Sequence, residues 1–132
     1  MSLLLDTNIL IAAIKGHPRV REHLSAVPAS EILLSVIVLG ELETGINKST
    51  LPVRNRQLLE QVIADLEVVP IDRSAALVYG SLRADLERCG KPIGANDLWI
   101  AAQAVSGDHT LVTDNQREFE RVAGLRWVNW LR

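Results

Sequence analysis

The chain has 132 residues, which is enough for one domain, residues 1–132, with a sizeable hydrophobic core. Hydrophobic residues make up 48% of it and aromatic residues only 4%, so we expect an aliphatic core, and no apolar run reaches the roughly 18 residues of a membrane helix. A net charge of -2 argues against a protein held to nucleic acid by bulk positive charge, and the single cysteine, Cys89, excludes an internal disulfide and a cysteine-based metal site.

Short apolar runs alternate with helix-length amphipathic segments, which is typical of an α/β domain with a mainly parallel sheet. The first strand is predicted at Leu3 to Leu5, and it is apolar on both faces, as a central parallel strand should be. The later predicted strands are Glu31 to Ser35, Leu66 to Ile71, Thr110 to Thr113 and Trp127 to Val128. The predicted helices are about Asn8 to Ile14, Pro18 to Leu24, Val36 to Ile46, Pro52 to Asp65, Arg73 to Arg88, Ala95 to Val105 and Gln116 to Val122, with a polar loop from Asn47 to Leu51.

Four acidic residues follow predicted strands or lie near the start of predicted helices. Asp6 directly follows the first strand and Asp114 follows the fourth. Glu41 lies in the first two turns of the helix after the second strand, and Asp97 lies in the first turn of the helix in PIGANDLWIAA. Because ligands of open α/β sheets bind at the carboxyl edge of the strands, these four side chains can meet at one place.

Two of these acids also have a purely structural interpretation. Asp97 and Asp114 stand where helices begin, and Asp is favoured there because it accepts backbone N–H bonds and faces the positive end of the helix dipole. Asn96 and Asn115 can serve as caps instead, which weakens that interpretation.

The other two acids differ in how much the sequence says about them. Glu41 competes with Glu43 on the same helix, and periodicity does not choose between them. Asp6 has apolar flanks, and a buried carboxylate without a partner is costly. Converging carboxylates repel one another unless a cation neutralises them, and an oxygen-only site indicates Mg²⁺ or Mn²⁺ rather than Zn²⁺. The histidines lack ligand spacing and are interpreted as surface or packing residues: His17, His23 and His109.

Four segments, LLLDTNILI, SVIVLGELETGI, PIGANDLWIAAQA and LVTDNQREFERVAGL, together resemble the PIN-domain ribonucleases, most closely the VapC toxins of bacterial VapBC toxin–antitoxin pairs. The likeness covers essentially the whole chain, and the segments occur in the family's order. It implies a doubly wound, mainly parallel sheet of about five strands with helices on both faces. It also implies an acidic pocket formed by Asp6, Glu41, Asp97 and Asp114.

The resemblance further implies roles for these residues. Asp6 and Asp97 would be the principal ligands of Mg²⁺ or Mn²⁺, and Glu41 and Asp114 would complete the site directly or through water. The polar positions around the pocket are Thr7, Asn8 and Thr113. The implied reaction is hydrolysis of RNA phosphodiesters that leaves a 5′ phosphate and a 3′ hydroxyl. The stretches REFERVAGLR and GKPIGANDLWIAA look most like the branch that cuts initiator tRNA in its anticodon region.

Partners follow from the same resemblance. It implies a VapB-type antitoxin seated in an apolar groove beside the helices after Pro18 and Pro52, a homodimer, and contact with DNA only through the antitoxin. The start of the chain lacks the features of a signal peptide, which predicts a cytoplasmic protein.

Trp127 and Trp130 are expected to pack the last strand rather than to stack on bases. The candidate RNA contacts are Lys15, Arg19, Lys48, Arg54, Arg56, Lys91 and Arg117.

Two other functions compete with the nuclease. A phosphatase or phosphoacceptor domain would use Asp6 as a covalent nucleophile, but such an enzyme would need a second Asp where this chain has Asn8. A non-catalytic module would bind RNA or a partner through an inert PIN fold, and the intact set of acids argues against it.

Overall fold

A five-stranded parallel sheet forms the centre of the protein, as a computed structural model of residues 2–132 shows. The strand order is β3-β2-β1-β4-β5, and every neighbouring pair is parallel. The predicted fold class is therefore confirmed, with the first strand at the centre of the sheet. The strands are β1 Leu3–Leu5, β2 Ile32–Ser35, β3 Glu67–Val69, β4 Thr110–Val112 and β5 Arg126–Val128.

Seven α-helices connect these strands, and a short 3-10 turn at Ala29–Glu31 precedes β2. The sheet and the helices bury a core made almost entirely of Leu, Ile, Val and Ala, as the composition predicts. The helices of residues 2–132 are α1 Thr7–Ile14, α2 Pro18–Ala26, α3 Val36–Lys48, α4 Pro52–Ile63, α5 Arg73–Arg88, α6 Ala95–Ser106 and α7 Gln116–Phe119.

Several boundaries differ from the prediction for local reasons. Glu31 belongs to the 3-10 turn rather than to β2. β3 ends at Val69 because Pro70 has no N–H with which to extend a ladder. α3 continues through Asn47, whose side-chain amide donates a hydrogen bond to the Glu43 carbonyl, so the loop after it is shorter than expected. α4 ends two residues early, and α7 is a single turn that ends before the predicted position.

Gln103 fixes α6 against the carboxyl ends of two strands. Its side chain is 3% exposed, and its amide donates hydrogen bonds to the carbonyls of Val69 and Pro70, both at 3.1 Å. Its carbonyl oxygen accepts a hydrogen bond from the Ser35 hydroxyl at the end of β2. A buried amide with all these partners holds the helix in register, and the first turn of α6 is thereby set at the carboxyl edge of the sheet.

The C-terminal segment packs on α2, as expected for its tryptophans. Trp130 is 5% exposed and stacks on His23 with ring centroids 5.0 Å apart, and Trp127 is half-buried. Cys89 is the C-cap of α5 and is exposed at the surface. No helix within residues 2–132 combines the length and the apolarity needed to cross a membrane.

Candidate active site at the carboxyl edge of the sheet

Asp6 is held in place directly after β1. It is the N-cap of α1, where its Oδ1 accepts a hydrogen bond from the Thr7 N–H at 2.8 Å, and its Oδ2 accepts one from the Thr113 hydroxyl at 2.7 Å. The carboxylate is only 6% exposed. Burial raises the pKa of Asp6, the two hydrogen bonds lower it, and the charges of Asp114 and Glu118 raise it further. Asp6 is therefore a cap, but one oriented by a side chain from β4's end as well as by its own helix.

The turn between β4 and α7 carries the donors that arrange this pocket. The Thr113 hydroxyl accepts a hydrogen bond from the Asn115 N–H at 3.0 Å while it donates to Asp6. The Asn115 side-chain amide contacts two further carboxylates, Asp97 Oδ2 and Glu118 Oε2, both at 3.3 Å. Three acids from three segments are thus joined through one short turn.

Asp97 is the most perturbed carboxyl group at this edge. It lies in the first turn of α6 and is half-buried. Burial is the largest cause that raises the pKa of Asp97 to about 8, followed by its hydrogen bond with the Glu118 carboxyl. The charges of Asp6, Glu118 and Glu41 raise it as well. Crowding of like charges at one place is the condition under which a cation binds favourably.

Glu41, rather than Glu43, faces the pocket. Burial raises the pKa of Glu41, the nearby Thr7 hydroxyl lowers it, and the charge of Asp6 raises it. The Oε1 atom of Glu41 and the Thr7 hydroxyl are both buried without a hydrogen bond of ordinary geometry among residues 2–132. Glu43 instead forms an ion pair with Arg56 at 2.6 Å. The structure therefore decides the choice that periodicity left open.

Asp114 lies at the rim of the same pocket. Its Oδ1 accepts a hydrogen bond from the Asn8 side-chain amide at 3.2 Å, and its negative charge raises the pKa of Asp6. All four predicted acids and the three predicted polar residues are thus brought to one edge of the sheet, as the sequence predicts.

Two residues of this cluster, Glu118 and Asn115, were not predicted as part of the site. Glu118 lies on α7, four residues after Asp114, and the buried Phe119 next to it anchors that four-residue helix in the core. Both residues stand in the segment LVTDNQREF directly after β4, and this position at the carboxyl edge of the sheet is the signal that could have indicated them.

The donor set fits a hard divalent cation. Five carboxylates converge, and no Lys, Arg or His within residues 2–132 forms an ion pair with any of them: Asp6, Glu41, Asp97, Asp114 and Glu118. The unpartnered Oε1 of Glu41 is a buried acceptor that such an ion would satisfy. Among the described residues no three His, Cys, Asp or Glu side chains are already spaced as ligands of one ion. A cation would therefore draw these carboxylates together.

The predicted RNA contacts divide into three groups. Lys15 and Arg54 are exposed, are free of ion pairs with other described residues, and line a groove that also contains Glu41. Arg56 is instead neutralised by its ion pair with Glu43. The rest are exposed but are not part of that groove: Arg19, Lys48, Lys91 and Arg117.

Two apolar grooves lie beside α4. One, between α2 and α4, is lined by apolar side chains that include Leu24, Val27 and Val62. The other, between α1, α3 and α4, leads to Glu41 and has Leu58 in its wall. The apolar groove expected beside the helices that follow Pro18 and Pro52 is therefore present.

The fold and the site together define a class of protein: an α/β domain with a cluster of carboxylates at the carboxyl edge of a parallel sheet, suited to holding a divalent cation against an anionic ligand. The model of the PIN domain family matches residues 3–125. The chain belongs to the PIN domain family, whose ribonucleases are generally metal-dependent.

Relatives with known names and structures are similar over nearly their whole length. A Shigella flexneri protein described as a tRNA(fMet)-specific endonuclease VapC is 40% identical over 131 residues, which cover 98% of both chains. The crystal structure of VapBC2 from Rickettsia felis, bound to a DNA fragment from its promoter, matches with a TM-score of 0.92 at 38% identity, covering 98% of this chain and 99% of that chain. VapBC-1 from nontypeable Haemophilus influenzae matches with a TM-score of 0.90 at 34% identity and complete coverage of both chains.

Proposed function

We propose that this protein is a metal-dependent endoribonuclease and the toxin of a type II toxin–antitoxin pair, with initiator tRNA as its substrate. The observation that carries the proposal is a set of five convergent carboxylates, none of them in an ion pair within residues 2–132, on a chain 40% identical to a tRNA(fMet)-specific endonuclease VapC. The whole chain, residues 1–132, forms the one catalytic domain of this proposal.

Asp6 and Asp97 are the principal residues that would hold Mg²⁺ or Mn²⁺, and Glu41, Asp114 and Glu118 would complete the site directly or through water. The bound ions would supply the positive charge that activates a water and stabilises the phosphate as its charge changes. Thr113 and the α1 N-terminus orient Asp6 and oppose the rise of its pKa on burial, because both donate hydrogen bonds to its carboxylate.

The proposed reaction hydrolyses a phosphodiester. The water oxygen forms a bond to phosphorus, the bond from phosphorus to the 3′ oxygen breaks, and the departing oxygen takes up a proton. The products are a 5′ phosphate and a 3′ hydroxyl. Lys15 and Arg54, which line the same groove as Glu41, would contact phosphates of the RNA next to the pocket.

The substrate can be tested with the purified chain free of antitoxin. With Mn²⁺ or Mg²⁺ present, we expect cleavage of initiator tRNA in its anticodon region and much weaker cleavage of elongator methionine tRNA. EDTA, Asp6→Asn and Asp97→Asn should each abolish cleavage, whereas Asp65→Asn, which changes an exposed carboxylate away from the pocket, should leave it unchanged. A phosphorylated protein intermediate, or RNA binding without turnover, would refute the proposal.

We further propose that a VapB-type antitoxin covers the groove between α2 and α4 and extends a basic segment to the acidic pocket. Complexes of relatives with such partners have been solved, and the charge of the pocket is complementary to a basic segment. Val62→Glu, which places a charge in the wall of the groove, should leave RNA cleavage intact but make it resistant to the antitoxin. Full inhibition of this variant would contradict the proposed location. A homodimer, as the resemblance implies, would place two such pockets in one particle.

A further inference from the structure

Asn115 occupies the N-cap position of α7 without acting as a cap. Its side chain makes no capping hydrogen bond to the helix, although Asn is among the residues that cap most effectively. The side-chain amide instead lies 3.3 Å from Asp97 Oδ2 and 3.3 Å from Glu118 Oε2. The amide therefore binds two carboxylates of the acidic pocket instead of a backbone group of α7.

We propose that Asn115 is a positioning residue for the metal site: its amide clamps Asp97 and Glu118 so that both present an oxygen to the same cation. This inference rests on the proposed metal-dependent function. Nδ2 carries both N–H donors of the amide, and a carboxylate can only accept, so a single nitrogen can bind one oxygen of each acid. The second oxygen of each carboxylate is left by Asn115 for other partners.

The chemistry of the amide explains why this residue suits the position. A Lys or Arg side chain would also bind both acids, but its positive charge would neutralise them and compete with the cation. A neutral amide reduces the repulsion between the two carboxylates through hydrogen bonds and leaves their charge available to an incoming ion. Partners behind the direct ligands fix ligand orientation in this way at many metal sites.

The backbone of Asn115 extends the same function to a third acid. Its N–H donates to the Thr113 hydroxyl at 3.0 Å, and that hydroxyl donates to Asp6 Oδ2 at 2.7 Å. Asn115 therefore stands at the junction of two paths, one to Asp97 and Glu118 through the side chain and one to Asp6 through the main chain.

Calorimetric titration of the antitoxin-free chain with Mn²⁺ tests the proposal without RNA. Asn115→Ala removes the clamp but keeps the backbone N–H, and we expect its Mn²⁺ affinity to fall by about 10-fold or more. Asn96→Ala is the matched control, because it removes an exposed amide next to Asp97 in sequence that contacts none of the acids. Asn115→Gln, which keeps the amide on a longer side chain, should bind Mn²⁺ more tightly than Asn115→Ala.

The same variants separate a positioning role from a merely structural one. Circular dichroism in EDTA should show that Asn115→Ala is folded, and in RNA cleavage it should regain the wild-type kcat as Mn²⁺ is raised, with the KM for RNA unchanged. If Asn115→Ala is unfolded, the Mn²⁺ affinities of Asn115→Gln and Asn96→Ala are compared with that of the wild type instead.

Two results would overturn the proposal: an Mn²⁺ affinity of Asn115→Ala within twofold of the wild type, or an equal loss of affinity in Asn96→Ala. Failure of the proposed function gives a different pattern, namely a wild-type chain that binds Mn²⁺ but cuts no RNA.

Discussion

Asp97 should make the metal-free protein less stable as the pH rises. The folded protein holds the proton of this carboxyl group up to about pH 8, whereas the group has an ordinary pKa of 3.8 in the unfolded chain. Between these two values the folded state binds more protons than the unfolded state, so the free energy of unfolding decreases with increasing pH. Asp97→Asn removes the titrating group but keeps its shape, and the variant should lose most of this dependence.

The size of the effect follows from the shift of the pKa. At about 1.4 kcal/mol per pH unit, the difference between 3.8 and about 8 sets an upper limit of about 6 kcal/mol on the destabilisation. Asp97 is only half-buried, and solvent screens a group in that position, so we expect about 2 kcal/mol. Asp97→Asn should therefore be more stable than the wild type by about 2 kcal/mol at pH 8 and about equal to it near pH 4.

Urea unfolding monitored by circular dichroism, in EDTA from pH 5 to pH 8, measures this difference. Asp65→Asn is the control, since it removes an exposed carboxylate that lies away from the pocket. If the free energy of unfolding depends on pH equally in the wild type and in Asp97→Asn, the pH dependence does not come from Asp97 and the reasoning is refuted. In saturating Mn²⁺ the wild type should instead gain stability as the pH rises, because the ion binds the ionised carboxylate and displaces its proton.

Two further predictions concern the donors and the cations around the pocket. Thr113→Val removes the hydroxyl that donates a hydrogen bond to the buried Asp6, so the free energy of unfolding of the metal-free protein should fall by about 1–3 kcal/mol in urea. The exposed Thr44→Val should change it little, and equal losses in the two variants would contradict the role of that hydrogen bond. The double variant Lys15→Ala, Arg54→Ala should raise the KM for RNA several-fold. In filter binding, its plot of log binding constant against log salt concentration should be less steep by about 0.7 per lost phosphate contact. Arg88→Ala, which changes an arginine already in an ion pair, should leave both quantities unchanged, and an unaltered salt dependence of the double variant would exclude its contacts with RNA.

The sequence predicts the sheet and the meeting point of the acids because both depend on simple periodic features. Leu4 and Leu5 are fully buried in the central strand, as expected for an apolar run between turn signals. Asp6 and Asp114 follow strands, and parallel strands bring their carboxyl ends to one edge whatever the lengths of the connections. These inferences need no knowledge of side-chain contacts.

The remaining parts of the site depend on contacts that periodicity does not contain. Glu41 and Glu43 flank the buried Leu42 on its two sides in a helical projection, and only the position of Arg56 on another helix decides which of them is neutralised. Glu118 lies on a helix of four residues, too short to give a periodic signal, and its orientation is set by the burial of its neighbour Phe119. Asn115 has the sequence position of a cap and a different function in space.

The choice of donors around the pocket explains how the fold accommodates a cluster of acids that destabilises it. The N–H and hydroxyl groups that donate hydrogen bonds to these carboxylates are neutral: a main-chain N–H and the hydroxyl of Thr113 for Asp6, the Asn8 amide for Asp114, and the Asn115 amide for Asp97 and Glu118. Neutral donors orient the acids and recover part of the hydrogen bonding that burial removes, but they leave the negative charge in place. The uncompensated charge lowers the stability of the metal-free chain, and for the same reason a divalent ion, or a basic segment of a partner, gains more free energy by binding there than it would at a neutralised site. Replacing any one of these donors by a cation should therefore stabilise the fold and weaken its binding of cations, two effects with one electrostatic origin.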